Sequence, residues 1–86
     1  MNINELIEIV KSKIEAEIVM QDLKIEDKSF LHKNHKGNQE GMFHLKLIIK
    51  SDELKRLNKI ESTKKIYNIL DRELKEHIHS IQILLS

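Results

Sequence analysis

The chain of 86 residues has no cysteine, no proline and no tryptophan, and it contains two glycines and three aromatic rings apart from histidine. Without cysteine there is no disulfide framework, no thiolate metal site and no cysteine nucleophile. Any metal must then be held by His, Asp, Glu or a partner's ligands. Such a chain fits a reducing compartment, and the expected location is the cytoplasm. No apolar run reaches the roughly 18 residues that a membrane-spanning helix needs. Near the start, Glu5, Glu8 and Glu15 are residues that a secretory or mitochondrial leader would avoid, so no membrane or export step is expected. The three rings, Phe30, Phe43 and Tyr67, are too few for a base-stacking platform. Both glycines, Gly37 and Gly41, fall in one stretch, which marks it as a loop built for backbone freedom.

What is present is a globular balance: 40% hydrophobic and 34% charged residues, enough for one small domain spanning 1–86. Folding at this size buries only about 60% of the unfolded surface. The expected core is therefore one layer of helix against sheet, with little left to wall off a deep pocket. The net charge of +1 is too small for a general nucleic-acid attractant, but it is unevenly spread. Residues 1–27 hold three lysines against seven acids, and residues 28–50 hold five lysines against Glu40 alone.

Periodicity gives the organisation. Ile3, Leu6, Ile7, Val10 and Ile14 recur at helical spacing up to about Ala16, with Asn2 or Asn4 as cap. Leu23 and Ile25 alternate with Lys24 and Glu26 as a short strand, ended by Asp27-Lys28-Ser29. The polar stretch from Ser29 to Gly41 keeps no period and is expected to be a long exposed loop. Phe43, Leu45, Leu47 and Ile49 alternate with His44, Lys46, Ile48 and Lys50, the clearest strand signal. Ser51 then offers a cap to a brief helix reaching about Leu57. Glu61-Ser62-Thr63 offers a second cap to a longer helix with the stripe Ile66, Ile69, Leu70 and Leu74, and Ile78 to Leu85 closes as a third strand.

The expected fold is α+β in the order α-β-β-α-α-β, with helices packed mainly on one face of a three-stranded mixed sheet. A strand, a helical crossover and a returning strand are right-handed and parallel, so the third strand should lie beside the second with their beginnings adjacent. His79 at the start of the third strand and the loop histidines His32 and His35 would then converge at one end of the sheet.

The run Asp27-Lys28-Ser29, His32, His35, Gly37, Gly41, His44, Ser51, Tyr67, Glu73-Leu74 and Ile78-His79 resembles the BolA-like proteins over nearly the whole chain. Their pattern passes from D-x-S-x-x-H-x-x-H through a glycine-bearing loop to a histidine-led strand, a serine cap and a closing V/I-H-A-L strand. The resemblance implies a type II KH-like fold. The sequence departs from the pattern where relatives commonly carry phenylalanine and glycine after the serine cap and Arg-His-Arg at the start of the long helix. Those positions read Leu54, Arg56 and Ser62-Thr63-Lys64, and the alanine after the final histidine is Ser80.

The resemblance further implies a partner of monothiol glutaredoxins, sharing or receiving a [2Fe–2S] cluster in cluster trafficking or iron sensing. No cofactor would be held tightly by the isolated chain, which would be a monomer or weak homodimer. Lacking thiols, the chain could give only imidazole nitrogen, while the glutaredoxin cysteine and glutathione gave sulfur; mixed ligation of this kind is established chemistry. By position His79 matches the C-terminal ligand and His32 the loop ligand, with His35 the alternate. Read alone, a histidine in a lysine-bearing loop is usually only solvated, and one at a strand start is as readily structural as ligating. His44 is expected to order the strand or loop mouth, and His77 to meet the negative pole of a helix.

A DNA-binding regulator is the alternative, carried by Lys55, Arg56, Lys59, Lys64 and Lys65 against Glu61 around the turn between the second and third helices. No GxxG backbone clamp accompanies them, and a cluster of this size is more often a solvated face. An enzyme is not expected: there is no phosphate loop, paired carboxylate or nucleophile elbow, and only Asp27 could orient Ser29, His32 or His35.

Overall fold

A computed structural model describes residues 1–29 and 42–86. Helix α1 (Ile3–Glu17) opens at Asn2, whose side chain accepts from the Glu5 N–H while its amide donates to the Glu5 carboxylate. This reciprocal pair satisfies an orphan donor of the first turn. Leu6, Val10 and Ile14 form the buried stripe. Strand β1 (Asp22–Asp27) pairs antiparallel with β2 (Phe43–Lys50), and β3 (Ile78–Leu85) pairs parallel with β2, in the order β1-β2-β3. The mixed sheet and the parallel return are as the crossover argument requires.

Leu45, Leu47 and Ile49 face the helices and pack with Leu6, Val10, Ile14, Leu54, Ile66, Leu70 and Ile78 in a single core. The helices cover that one face. The opposite face carries Lys24 and Glu26 of β1, Lys46 and Lys50 of β2 and Gln82 of β3, as alternation along each strand demands.

Between β2 and β3 the helical segment differs from expectation in three ways. Helix α2 (Asp52–Lys55) starts at Ser51 as expected but stops short of Leu57. Helix α3 (Lys59–Ile69) begins earlier than the Glu61-Ser62-Thr63 cap would place it. Its cap is Asn58, which accepts from the Glu61 N–H and donates to the Glu61 carboxylate, while Ser62 lies buried and donates its hydroxyl to the Lys59 carbonyl. The long helix is also broken at Leu70, after which α4 (Asp71–Glu76) runs to the sheet. Neither glycine nor proline marks that break; Leu70 is fully buried, so tertiary packing rather than local propensity sets it.

Candidate functional site

The pairing of β2 with β3 contains one irregularity. Phe43 lies opposite Ile78, yet His44 lies opposite Ser80, so His79 is an extra residue in β3. In a regular strand His79 and Ser80 would point to opposite faces. Ile78 is buried in the core and Ile81 packs against it, so the bulge leaves both His79 and Ser80 toward the face away from the helices.

His44 is where the two meet. Its Nδ1 lies 2.6 Å from Ser80 Oγ, and its Nε2 lies 3.4 Å from Nδ1 of His79, with the two rings edge to face at a centroid distance of 4.9 Å. His44 is 4% exposed although it sits on the wet face of the sheet, whereas His79 and Ser80 are exposed. An open depression of about 490 Å³ lies alongside, lined in part by Lys28, His44, Lys46, Ser80 and Gln82.

The backbone around His44 ties this rim to the start of the loop. The His44 N–H donates to Ser29 Oγ at 3.1 Å, the Lys28 N–H donates to the His44 carbonyl, and the Ser29 N–H donates to the Asp27 carboxylate at 2.9 Å. Phe43 in turn donates its N–H to the His77 carbonyl, which joins the beginnings of β2 and β3. Asp27 and Ser29 thus shape a turn and hold the start of β2 through the backbone of His44. His77 caps the end of α4, with its backbone N–H on the Glu73 carbonyl.

A family model described as BolA-like protein matches residues 14–86. The chain belongs to the BolA-like family. Among relatives of this family, the DNA-binding transcriptional regulator BolA of Haemophilus influenzae is 32% identical over 78 residues, covering 91% of this chain and 73% of that protein. SufE-like protein 1, chloroplastic/mitochondrial, of Arabidopsis thaliana is 29% identical over 80 residues, and the match spans only 22% of its length. The solved BolA domain of SufE1 from the same plant superposes with a TM-score of 0.78 at 27% identity, over 100% of this chain and 93% of the other. BolA1 from Arabidopsis thaliana gives 0.75 at 26% identity, over 90% and 85%.

Of the three imidazoles that the BolA-like pattern marks, His79 stands at the bulge with one ring nitrogen turned to His44. His32 and His35 lie outside the described residues. No group of three or more His, Asp or Glu able to hold a metal occurs among the described residues, so a metal at His79 needs ligands from beyond them. The donor chemistry fits a partial site. Engaging Nδ1 of an exposed ring with a neighbour leaves Nε2 outward, and an outer hydrogen bond on the non-ligating nitrogen is the usual support of a ligating imidazole. Sequence spacing alone does not place His44 beside His79, because only the register of β2 with β3 brings them together.

The basic residues of the alternative reading form a looser group. Lys55, Arg56, Lys59 and Lys64 are exposed at α2 and the start of α3. Lys65 differs, since its Nζ donates to Glu53 Oε2 at 2.8 Å. That hydrogen bond, with a second from the Val19 N–H, holds the Glu53 carboxyl below the usual value.

Proposed function

We propose that this BolA-like chain is an adaptor that binds a monothiol glutaredoxin and shares or receives a [2Fe–2S] cluster in cluster trafficking or iron sensing. His79 is the ligand on the sheet rim, and His32 or His35 is its companion from the loop. The observation that carries this reading is the bulged, exposed His79 with Nδ1 on His44, whose own backbone N–H donates to Ser29 Oγ. The cluster is cargo here. Its sulfur ligands come from the glutaredoxin cysteine and glutathione, because this chain has no thiol. The role is one of binding, without turnover.

The test is to mix the purified chain with a cluster-loaded monothiol glutaredoxin and glutathione and to record visible circular dichroism. The cluster spectrum is expected to change with the wild-type chain and to stay unchanged with His79→Ala. An unaltered spectrum with the wild-type chain rejects the proposal.

A second reading, direct DNA binding through Lys55, Arg56, Lys59 and Lys64, is favoured by the relative named as a DNA-binding transcriptional regulator. These exposed cations could neutralise only a few phosphates, so the binding would be weak and steeply dependent on salt.

A further inference from the structure

The two edges of the sheet are unlike. Four of the six residues of β1, Asp22, Lys24, Glu26 and Asp27, are charged, which blunts that edge against pairing with another strand. Strand β3 has eight residues and not one Asp, Glu, Lys or Arg. Its outer side is open. The Ser86 N–H donates to the Ile49 carbonyl of β2, so Leu84 and Gln82, at two-residue steps along the ladder, also turn their backbone groups to β2. Ile81, Ile83 and Leu85 turn theirs to the free side, where they meet no partner among the described residues. The same three side chains are only partly buried, whereas Leu45, Leu47 and Ile49 beside them on β2 are buried. The helix layer therefore ends before the sheet does. An open depression of about 250 Å³ lies there, lined by Lys59, Ser62 and Thr63 of α3 and by Ile83, Leu84 and Leu85 of β3. Ile60 and Tyr67 stand one turn to either side of Thr63 on that flank of α3, and both are exposed, as is Leu84.

We infer that β3 pairs antiparallel with β3 of a second copy of this chain, about a two-fold axis through Ile83. In that register Ile83 lies opposite Ile83 of the second copy and Ile81 opposite Leu85, so these residues exchange N–H and C=O bonds pair by pair. On the open face Gln82 comes opposite Leu84 of the second copy. The edge is self-complementary: isoleucine and leucine meet on the helix side, and no like charges are brought opposite one another. Ile60, Thr63 and Tyr67 flank the joint, which covers apolar surface that a lone chain leaves to water. Growth stops at two. The joined sheet ends in β1 on both sides, and the charges of β1 oppose further pairing. Pairing β3 with β1 of another copy would instead lay charged residues along an apolar edge and leave a free β3 at the end of an open array. His79 lies outside the paired stretch from Ile81 to Leu85, so the dimer and the adaptor role stand or fall separately.

Sedimentation equilibrium of the isolated full chain, from about 10 µM to about 1 mM, reads the association, since a joint of this size holds weakly. The mean mass is expected to rise with concentration toward twice that of one chain and no further. Gln82 and Leu84 are exposed, so replacing them spares the core. The double variant Gln82→Lys, Leu84→Lys sets lysine opposite lysine across the joint, and Gln82→Glu, Leu84→Glu sets glutamate opposite glutamate. Each is expected to keep the wild-type far-ultraviolet spectrum and the mass of a single chain at about 1 mM. Mixed in equal amounts, the two are expected to recover the twofold mass, because lysine then meets glutamate in the same register. A wild-type chain that keeps the mass of one chain over the whole range overturns the inference, and so does a mass that climbs past two chains. Self-association of the lysine variant equal to that of the wild type places the contact on another surface and overturns it too. A mixture of the two variants that stays monomeric while the wild type dimerises rejects the register.

Discussion

Glu73 of α4 accepts two hydrogen bonds from the Lys13 ammonium of α1, at 2.7 and 2.9 Å, across 60 residues of sequence. The pair is lopsided: Glu73 is 5% exposed, whereas the Lys13 side chain is 39% exposed. Removing the lysine strands a buried carboxylate; removing the carboxylate leaves a lysine that water can solvate. Lys13→Met is therefore expected to cost about 2–3 kcal/mol and Glu73→Gln about 1 kcal/mol, measured by urea unfolding. Equal losses would show that the two ends are equally hydrated.

Ser51 serves two elements with one hydroxyl. It donates to the Val19 carbonyl at 2.7 Å and accepts from the Leu54 N–H at 3.2 Å, while 1% exposed. Ser51→Ala removes a cap and leaves a carbonyl short of a partner at the exit of α1, so a loss of about 2 kcal/mol is expected from chemical denaturation. A loss of a few tenths would mean that water replaces both bonds.

These cases separate what could be read along the chain from what could not. The strand from Phe43 to Lys50 and the cap at Ser51 follow from local alternation and one hydroxyl, and both were legible. The Asn58 start of α3 has a local marker too, because Glu61 three residues on completes a reciprocal cap, but the Ser62-Thr63 hydroxyls offer a competing start a turn later. The break at Leu70 has no local marker. The bulge that brings His79 and Ser80 onto His44 has none either, since it exists only in the pairing of β2 with β3. His79 as a candidate came from the family pattern, while its surroundings came only from the fold.

Glu53 of α2 accepts from two donors, the Lys65 ammonium of α3 and the Val19 N–H beyond the end of α1. Its folded-state carboxyl titrates below the ordinary 4.5, chiefly through the hydrogen bond from Lys65. A carboxyl depressed on folding adds stability that is present above its unfolded value and is lost as pH falls through the folded one. The wild-type chain is thus expected to lose stability on acidification below about pH 4.5, and Glu53→Gln to show a smaller loss over that range. Thermal unfolding at pH 6 and pH 3 checks this; parallel pH dependence in the two chains would remove Glu53 from the account.

The same contact bears on the proposed DNA binding. With Lys65 committed to Glu53, four exposed cations remain, Lys55, Arg56, Lys59 and Lys64. If all four meet phosphates, log K should fall with log salt at a slope of about −3.6 on duplex DNA. Glu53→Gln removes one negative charge and releases Lys65, so binding should strengthen at low salt and the slope should steepen by about 0.9. Titration of wild type and Glu53→Gln with a short duplex at two ionic strengths decides it. No detectable binding by either chain at low salt excludes direct DNA recognition by this chain alone, and an unchanged slope places the contact away from Lys65.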